Sequence, residues 1–139
     1  MRSIKFRAWD SVRKQMLSGG QIESDRFISF GGRVLELNCC SDGLESSEDK
    51  NLILLQFTGL KDKNGLDIYE GDIIKLSSKD ITYKMAPFTR QVLFNSAGFY
   101  LAYKNGDLSF NLSLSNYFQE VIGNIYENFE LLEVKNDRF

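Results

Sequence analysis

Apolar and polar side chains alternate with a period of two along much of this chain, the pattern that puts one face of a strand into a core. Ile4, Phe6 and Ala8 alternate with Lys5, Arg7 and Trp9, which predicts a first strand near the N-terminus. Phe27-Ile-Ser-Phe30 and Arg33-Val-Leu-Glu-Leu37 flank Gly31-Gly32, a pair able to take the positive φ values of a two-residue hairpin turn. Between Asn38 and Asn51 the tract Ser41-Asp-Gly-Leu-Glu-Ser-Ser-Glu-Asp-Lys50 is short and polar, with little to repay the entropy of ordering, so a mobile loop is expected there. Leu52-Ile-Leu-Leu-Gln-Phe57 resumes as a strand, and Asn64-Gly65 predicts a type I′ hairpin turn into Asp67-Ile-Tyr69.

Glu70-Gly-Asp72 reads as a turn leading into the strand Ile73–Leu76, with the Asp72 carboxylate placed to cap neighbouring amides. Arg90-Gln-Val-Leu-Phe94 pairs naturally with Gly98–Tyr103 across Asn95-Ser-Ala, and Asn105-Gly106 signals a third hairpin. Leu114, Tyr117, Phe118, Val121, Ile122 and Ile125 have helical spacing, but Gly123 and the β-rich residues around it divide the segment. A short helical turn over Ser113–Phe118, a strand over Glu120–Tyr126 and a last short strand over Phe129–Val134 are expected, with Lys135–Phe139 frayed. Many short strands joined by tight turns make the fold class mainly β. The expected architecture is a small, partly open antiparallel barrel, SH3-like, with additional N-terminal strands and a short helical turn. At 139 residues one domain is expected. Within it, residues 1–50 would hold the N-terminal strands, hairpin and loop, and 51–139 the barrel.

Composition narrows the function more than the strands do. The net charge of −2 lacks the global basic field that draws proteins onto nucleic acid. Its distribution is uneven: between Met1 and Lys14 five positive residues face only Asp10, a balance of +4, whereas from Phe94 onward three positives face six negatives, a balance of −3. No run of about 18 apolar residues is present to cross a bilayer as a helix, and the opening residues lack a signal-peptide core, so the cytoplasm is the expected location. Adjacent Cys39 and Cys40 read as reduced thiols without the spacing of a metal site.

The chain has no histidine, which removes the usual general base at neutral pH and the commonest metal ligand. Ser11-Val-Arg-Lys14 spells S-x-x-K, but in an expected turn rather than on a helical face. Asp62-Lys-Asn-Gly65 resembles the start of a calcium loop, with the glycine fourth instead of sixth. Glu70 and Asp72 are the one carboxylate pair worth weighing for a hydrolase, and nothing nearby supplies them a partner. Neither glycine-rich phosphate motif occurs, and no cofactor or metal is expected. What remains is basic and aromatic residues interleaved on strands. Lys5, Arg7, Trp9, Arg13, Lys14 and Tyr100 are the candidates for contact with nucleic acid or another partner, with Trp9 and Tyr100 expected to be exposed.

Three segments together resemble the YopX family of phage and prophage proteins. They are Ile4-Lys-Phe-Arg-Ala-Trp-Asp10 with Met16 following, Leu55-Gln-Phe-Thr-Gly-Leu-Lys-Asp-Lys-Asn-Gly65 running into Ile68-Tyr-Glu-Gly-Asp-Ile73, and Val121-Ile-Gly-Asn-Ile-Tyr-Glu-Asn128. Phe129 stands where the family usually has a proline. The resemblance implies a phage or prophage protein of a bacterial host and carries no catalytic residues. The expected function is therefore a non-enzymatic binding or accessory protein acting through protein contacts, with another protein or with a second copy of itself. A nucleic-acid-binding regulator using the basic N-terminal segment is the alternative.

Overall fold

A computed structural model describes residues 4–18, 26–28, 34–40, 43–48, 51–82, 85–112 and 116–132, the stretches 26–28, 34–40 and 43–48 as backbone. The chain divides into two compact units, residues 3–56 and residues 57–139 with the first two residues.

In the first unit β1 (Phe6–Asp10) is the central strand between β2 (Gln15–Ser18) and the first half of β6 (Leu52–Lys61), all antiparallel. Ala8 lies opposite Leu17 and Leu54, and these close over Ala8 and Leu52 as a small core. Trp9 lies opposite Met16 and Ile53 on the other face and is only 5% exposed, so β1 is buried on both faces. The expected alternation of one buried and one open face does not hold at this strand, because β1 is flanked on both sides and its tryptophan brings enough apolar surface to be covered.

A separate antiparallel sheet in the same unit joins β3 (Arg26–Ile28), β4 (Val34–Cys40) and β5 (Gly43–Glu48). The expected β3–β4 hairpin forms, with Ile28 opposite Val34, while its Gly31-Gly32 turn lies outside the described residues. The expected loop does not: Gly43–Glu48 is a strand paired with β4 from Cys40↔Gly43 to Leu35↔Glu48. Backbone hydrogen bonds order the polar tract without asking apolar side chains of it, and a charged strand suits the edge of a sheet.

The second unit begins with the second half of β6, paired with β7 (Asp67–Tyr69). A bulge lies between Phe57 and Lys61, where Gly59 takes φ 88° and Thr58 Oγ1 donates to Ile68 O while accepting from Leu60 N. Five antiparallel strands follow in the order β11 (Leu108–Asn111), β10 (Gly98–Ala102), β9 (Phe88–Asn95), β8 (Asp72–Ser78), β12 (Tyr117–Asn124). Ile68, Ile74, Leu76, Val92, Leu101 and Leu112 form the core, the first five fully buried. At about 1.5–3 kcal/mol per buried large aliphatic side chain, this layer is the main source of the unit's stability. The outer strands come together without pairing: the Phe110 and Tyr117 rings are 6.3 Å apart, and Gln119 Nε2 donates to Leu112 O. The chain is thus mainly β, with a partly open antiparallel barrel and extra N-terminal strands.

Among the described residues the short helical turn is misplaced in the sequence expectation. It lies at Phe129–Leu131, where a strand was expected, and Tyr117–Phe118, expected in that turn, belong to β12. Residues 113–115 and 133–139 lie outside the described residues. Asn124 explains the break: its Oδ1 accepts from Tyr126 N and Glu127 N, ending the strand in a side-chain-capped turn.

Candidate functional site

The turn after β1 places two of the sequence candidates in solvent. Asp10 is buried, and its Oδ1 accepts from both Val12 N and Arg13 N at 3.0 Å, which folds Ser11–Lys14 into a tight connection with Lys14 at φ 56°. Arg13 and Lys14 are exposed, as is Lys5, while Arg7 is half-buried. Trp9 corrects the expectation of exposure, since a ring 5% exposed offers no face for a base to stack upon. Ser11 Oγ donates to Asn51 O at 2.9 Å, in a turn and not on a helix, so the S-x-x-K spelling has no helical face to act from. Tyr100, in the other unit, is half-buried on β10 opposite Leu93 and Asn111.

Two of the carboxylates weighed for chemistry, Asp72 and Asp62, are engaged with the backbone. Asp72 is 1% exposed at the start of β8, and its Oδ2 accepts from Tyr69 N at 2.8 Å, the cap expected of it. Gly71 (φ 85°) donates its amide to Val92 O and accepts from Ile125 N, tying the turn to β9 and to the residue following β12. Glu70 is half-buried beside it. Asp62 Oδ1 accepts from Asn64 N and Leu66 N, and Oδ2 accepts from Val121 N across 59 positions of sequence. Burial alone would push this carboxyl up, but those three amides and the neighbouring Lys63 charge outweigh it and hold it below the usual carboxylate range. Among the described residues no group of His, Cys, Asp and Glu is arranged to hold a metal.

The β9–β10 hairpin is different in kind. Val92-Leu-Phe-Asn-Ser-Ala-Gly-Phe-Tyr-Leu-Ala102 contains no charged residue. Phe94 and Phe99 face each other across it with ring centroids 5.0 Å apart, and Phe94 is 55% exposed. Sequence reading favoured Trp9 and Tyr100 for exposure instead, because alternation says which face a residue shares and not how far along the strand the core extends. It passed over Arg90, a buried cation whose signal was present: Arg90 is in phase with Phe88 and Val92, a charge on the apolar face of β9.

The described residues make an antiparallel, mainly β protein with a partly open barrel. The family model of the YopX protein matches residues 5–133. This chain belongs to the YopX family. Among solved structures it is similar to protein yopX from Bacillus subtilis, at 26% identity and a TM-score of 0.60 over 96% of this chain and 100% of that one. It is also similar to protein EF1440 from Enterococcus faecalis, at 27% identity and a TM-score of 0.57 with the same coverage. No curated protein matches the chain. No helix among the described residues is long and apolar enough to cross a membrane.

The family's sequence motifs have structural work to do here. Gly59 sits in the β6 bulge, Gly65 (φ 83°) in the turn that Asp62 caps, and Asp72 at the head of β8. Gly123 lies at a bulge of β12, and a Cβ there would fall 2.5 Å from Asn128 Oδ1, so the paired glycine and asparagine of the closing segment are a packing contact.

Proposed function

We propose that this protein is a non-enzymatic binding or accessory protein of a phage or prophage, acting in the cytoplasm of the bacterial host through protein contacts. The β9–β10 hairpin supports this reading. A charge-free hairpin presenting the Phe94–Phe99 pair, with Phe94 55% exposed, is suited to a protein surface and poorly suited to a polyanion. Covering a phenylalanine side chain is worth about 1.5–3 kcal/mol, the scale of an interface anchor. The partner is a second protein or another copy of this chain. Tagged protein purified from cells expressing the phage or prophage genes, with and without nuclease, tests this. A partner that survives nuclease and is lost with Phe94→Ser is the expected result, and recovery of nucleic acid with no nuclease-resistant protein would overturn it.

Exposed Lys5, Arg13 and Lys14 favour a second reading, a nucleic-acid-binding regulator. That reading requires affinity that falls steeply with added salt and drops when Arg7, Arg13 and Lys14 are neutralised.

A further inference from the structure

Arg90 is 9% exposed, and what surrounds its guanidinium is incomplete for a buried cation. The Phe88 ring lies 4.7 Å from Cζ and the Tyr103 ring 4.1 Å from it. Nε donates to Ser109 Oγ at 2.7 Å and Nη1 to Thr89 O at 2.7 Å. A guanidinium has five N–H donors, so these two bonds leave three, one on Nη1 and both on Nη2. Nη2 donates to nothing among the described residues, yet it is not sealed from solvent. No carboxylate among the described residues forms an ion pair with Arg90.

Removing a charge from water costs several kcal/mol, and cation–π contacts return only about 2 kcal/mol each when desolvated. Neutral acceptors on two of five donors do not make up that difference as a carboxylate would. The arrangement also fixes direction. Rings hold the guanidinium plane, Ser109 Oγ takes the Nε proton and Thr89 O one Nη1 proton, and the guanidinium fork keeps three free N–H groups, two of them on Nη2. Such a fork matches the two oxygens of a carboxylate.

We propose that Arg90 is the seat for a carboxylate carried by the protein partner, a side-chain Asp or Glu or a chain terminus. This rests on the protein-contact function and gives it an anchor: an acidic group held bidentately by Arg90 in the lee of Phe88 and Tyr103. Ser109 and Thr89 are positioning residues, since they orient the guanidinium without touching the incoming group.

The first test needs no partner. Sodium acetate, inorganic phosphate and sodium chloride are titrated at matched ionic strength into the full chain, with the Arg90 guanidinium signals followed by NMR. Acetate is expected to give a saturable shift and chloride only a linear drift. A saturable response to phosphate without one to acetate would overturn the carboxylate assignment, and no saturable response to either would leave Arg90 as a purely structural cation. Arg90→Lys keeps the charge without the fork and should abolish the acetate response at the Ser109 and Tyr103 amides; a fully retained response would also overturn the seat. Should that variant not fold, the titration of the unaltered chain still decides. The same variant should weaken capture of a nuclease-resistant partner by roughly thirtyfold or more, the effect of cutting one side of a buried charge pair. A negative acetate titration defeats the Arg90 seat while leaving protein contact standing, and absence of any nuclease-resistant partner does the reverse.

Discussion

Two turns of the second unit carry the same Asn-Gly signal and the same local geometry, yet only one of them uses the polar side chain of its loop to reach another strand. In the turn between β6 and β7, Gly65 N donates to Asp62 O and Asp62 N to Leu66 O, with Gly65 at φ 83°. In the turn between β10 and β11, Gly106 N donates to Tyr103 O and Tyr103 N to Asp107 O, with Gly106 at φ 89°. Both are three-residue hairpin loops closed by a glycine bulge, not the two-residue type I′ turn expected at Asn64-Gly65, because the asparagine keeps a negative φ. The difference lies in the polar side chain of each loop. Asn105 is exposed and bonds only within its own loop, to Asp107 N and Asp107 Oδ2. Asp62 is buried and fastens its loop to β12 through Val121 N, beside the bond from Lys63 N to Gln119 O.

The comparison teaches that a turn signal specifies a turn and says nothing of its load. Its sharpest test is Asp62→Ala set against Asn105→Ala. The first leaves the Asn64, Leu66 and Val121 amides without their acceptor, and hydrogen bonds to charged groups are worth about 1.5–3 kcal/mol each, though not additively. A loss of about 3 kcal/mol or more in urea unfolding is expected. Asn105→Ala should lose less than about 1 kcal/mol, since water replaces both of its bonds. Equal losses would show that the link to β12 carries no stability.

Acid provides a milder form of the same change. The Asp62 carboxyl is held below its unfolded-state value, so its contribution is fully present above the ordinary carboxylate range and is lost as pH falls through the lower folded-state value. Stability measured from pH 6 down to about 2 should therefore fall in the parent, with the part belonging to Asp62 appearing below about pH 4. Asp62→Asn, weaker at neutral pH, should lack that part. If parent and variant fall in parallel, other carboxylates account for the acid response.

How much of this was legible follows the range of the interactions. Hairpins at Asn95-Ser-Ala and Asn105-Gly106 could be read because strand pattern and turn chemistry lie within a dozen residues of each other. The role of Asp62 could not, since its partner Val121 is 59 positions away and the local spelling suggested a calcium loop. Gly43–Glu48 was hidden because edge strands can be ordered by their backbone while carrying the composition of a loop. Trp9 was placed on the wrong side of the surface because period two assumes a single buried face. Arg90 was visible as a phase violation on β9, and a rule that flags charges in phase with apolar neighbours would have found it.

The smallest effect tests what the two turns share. Gly65 and Gly106 both take a left-handed backbone conformation, and a Cβ at either would meet nothing within 4 Å. Substitution by alanine therefore introduces conformational strain without a clash, about 1 kcal/mol per site for a non-glycine residue in that region. Gly65→Ala and Gly106→Ala should lower stability by the same amount within error, although Asp62 anchors one loop and not the other. Equality would place the turn's own energetics in the local backbone, separate from the links that Asp62 and Lys63 make to β12. A much larger loss at Gly65 would mean that shifting the loop also pulls Asp62 away from Val121 N, and that local geometry and long-range link act as one unit.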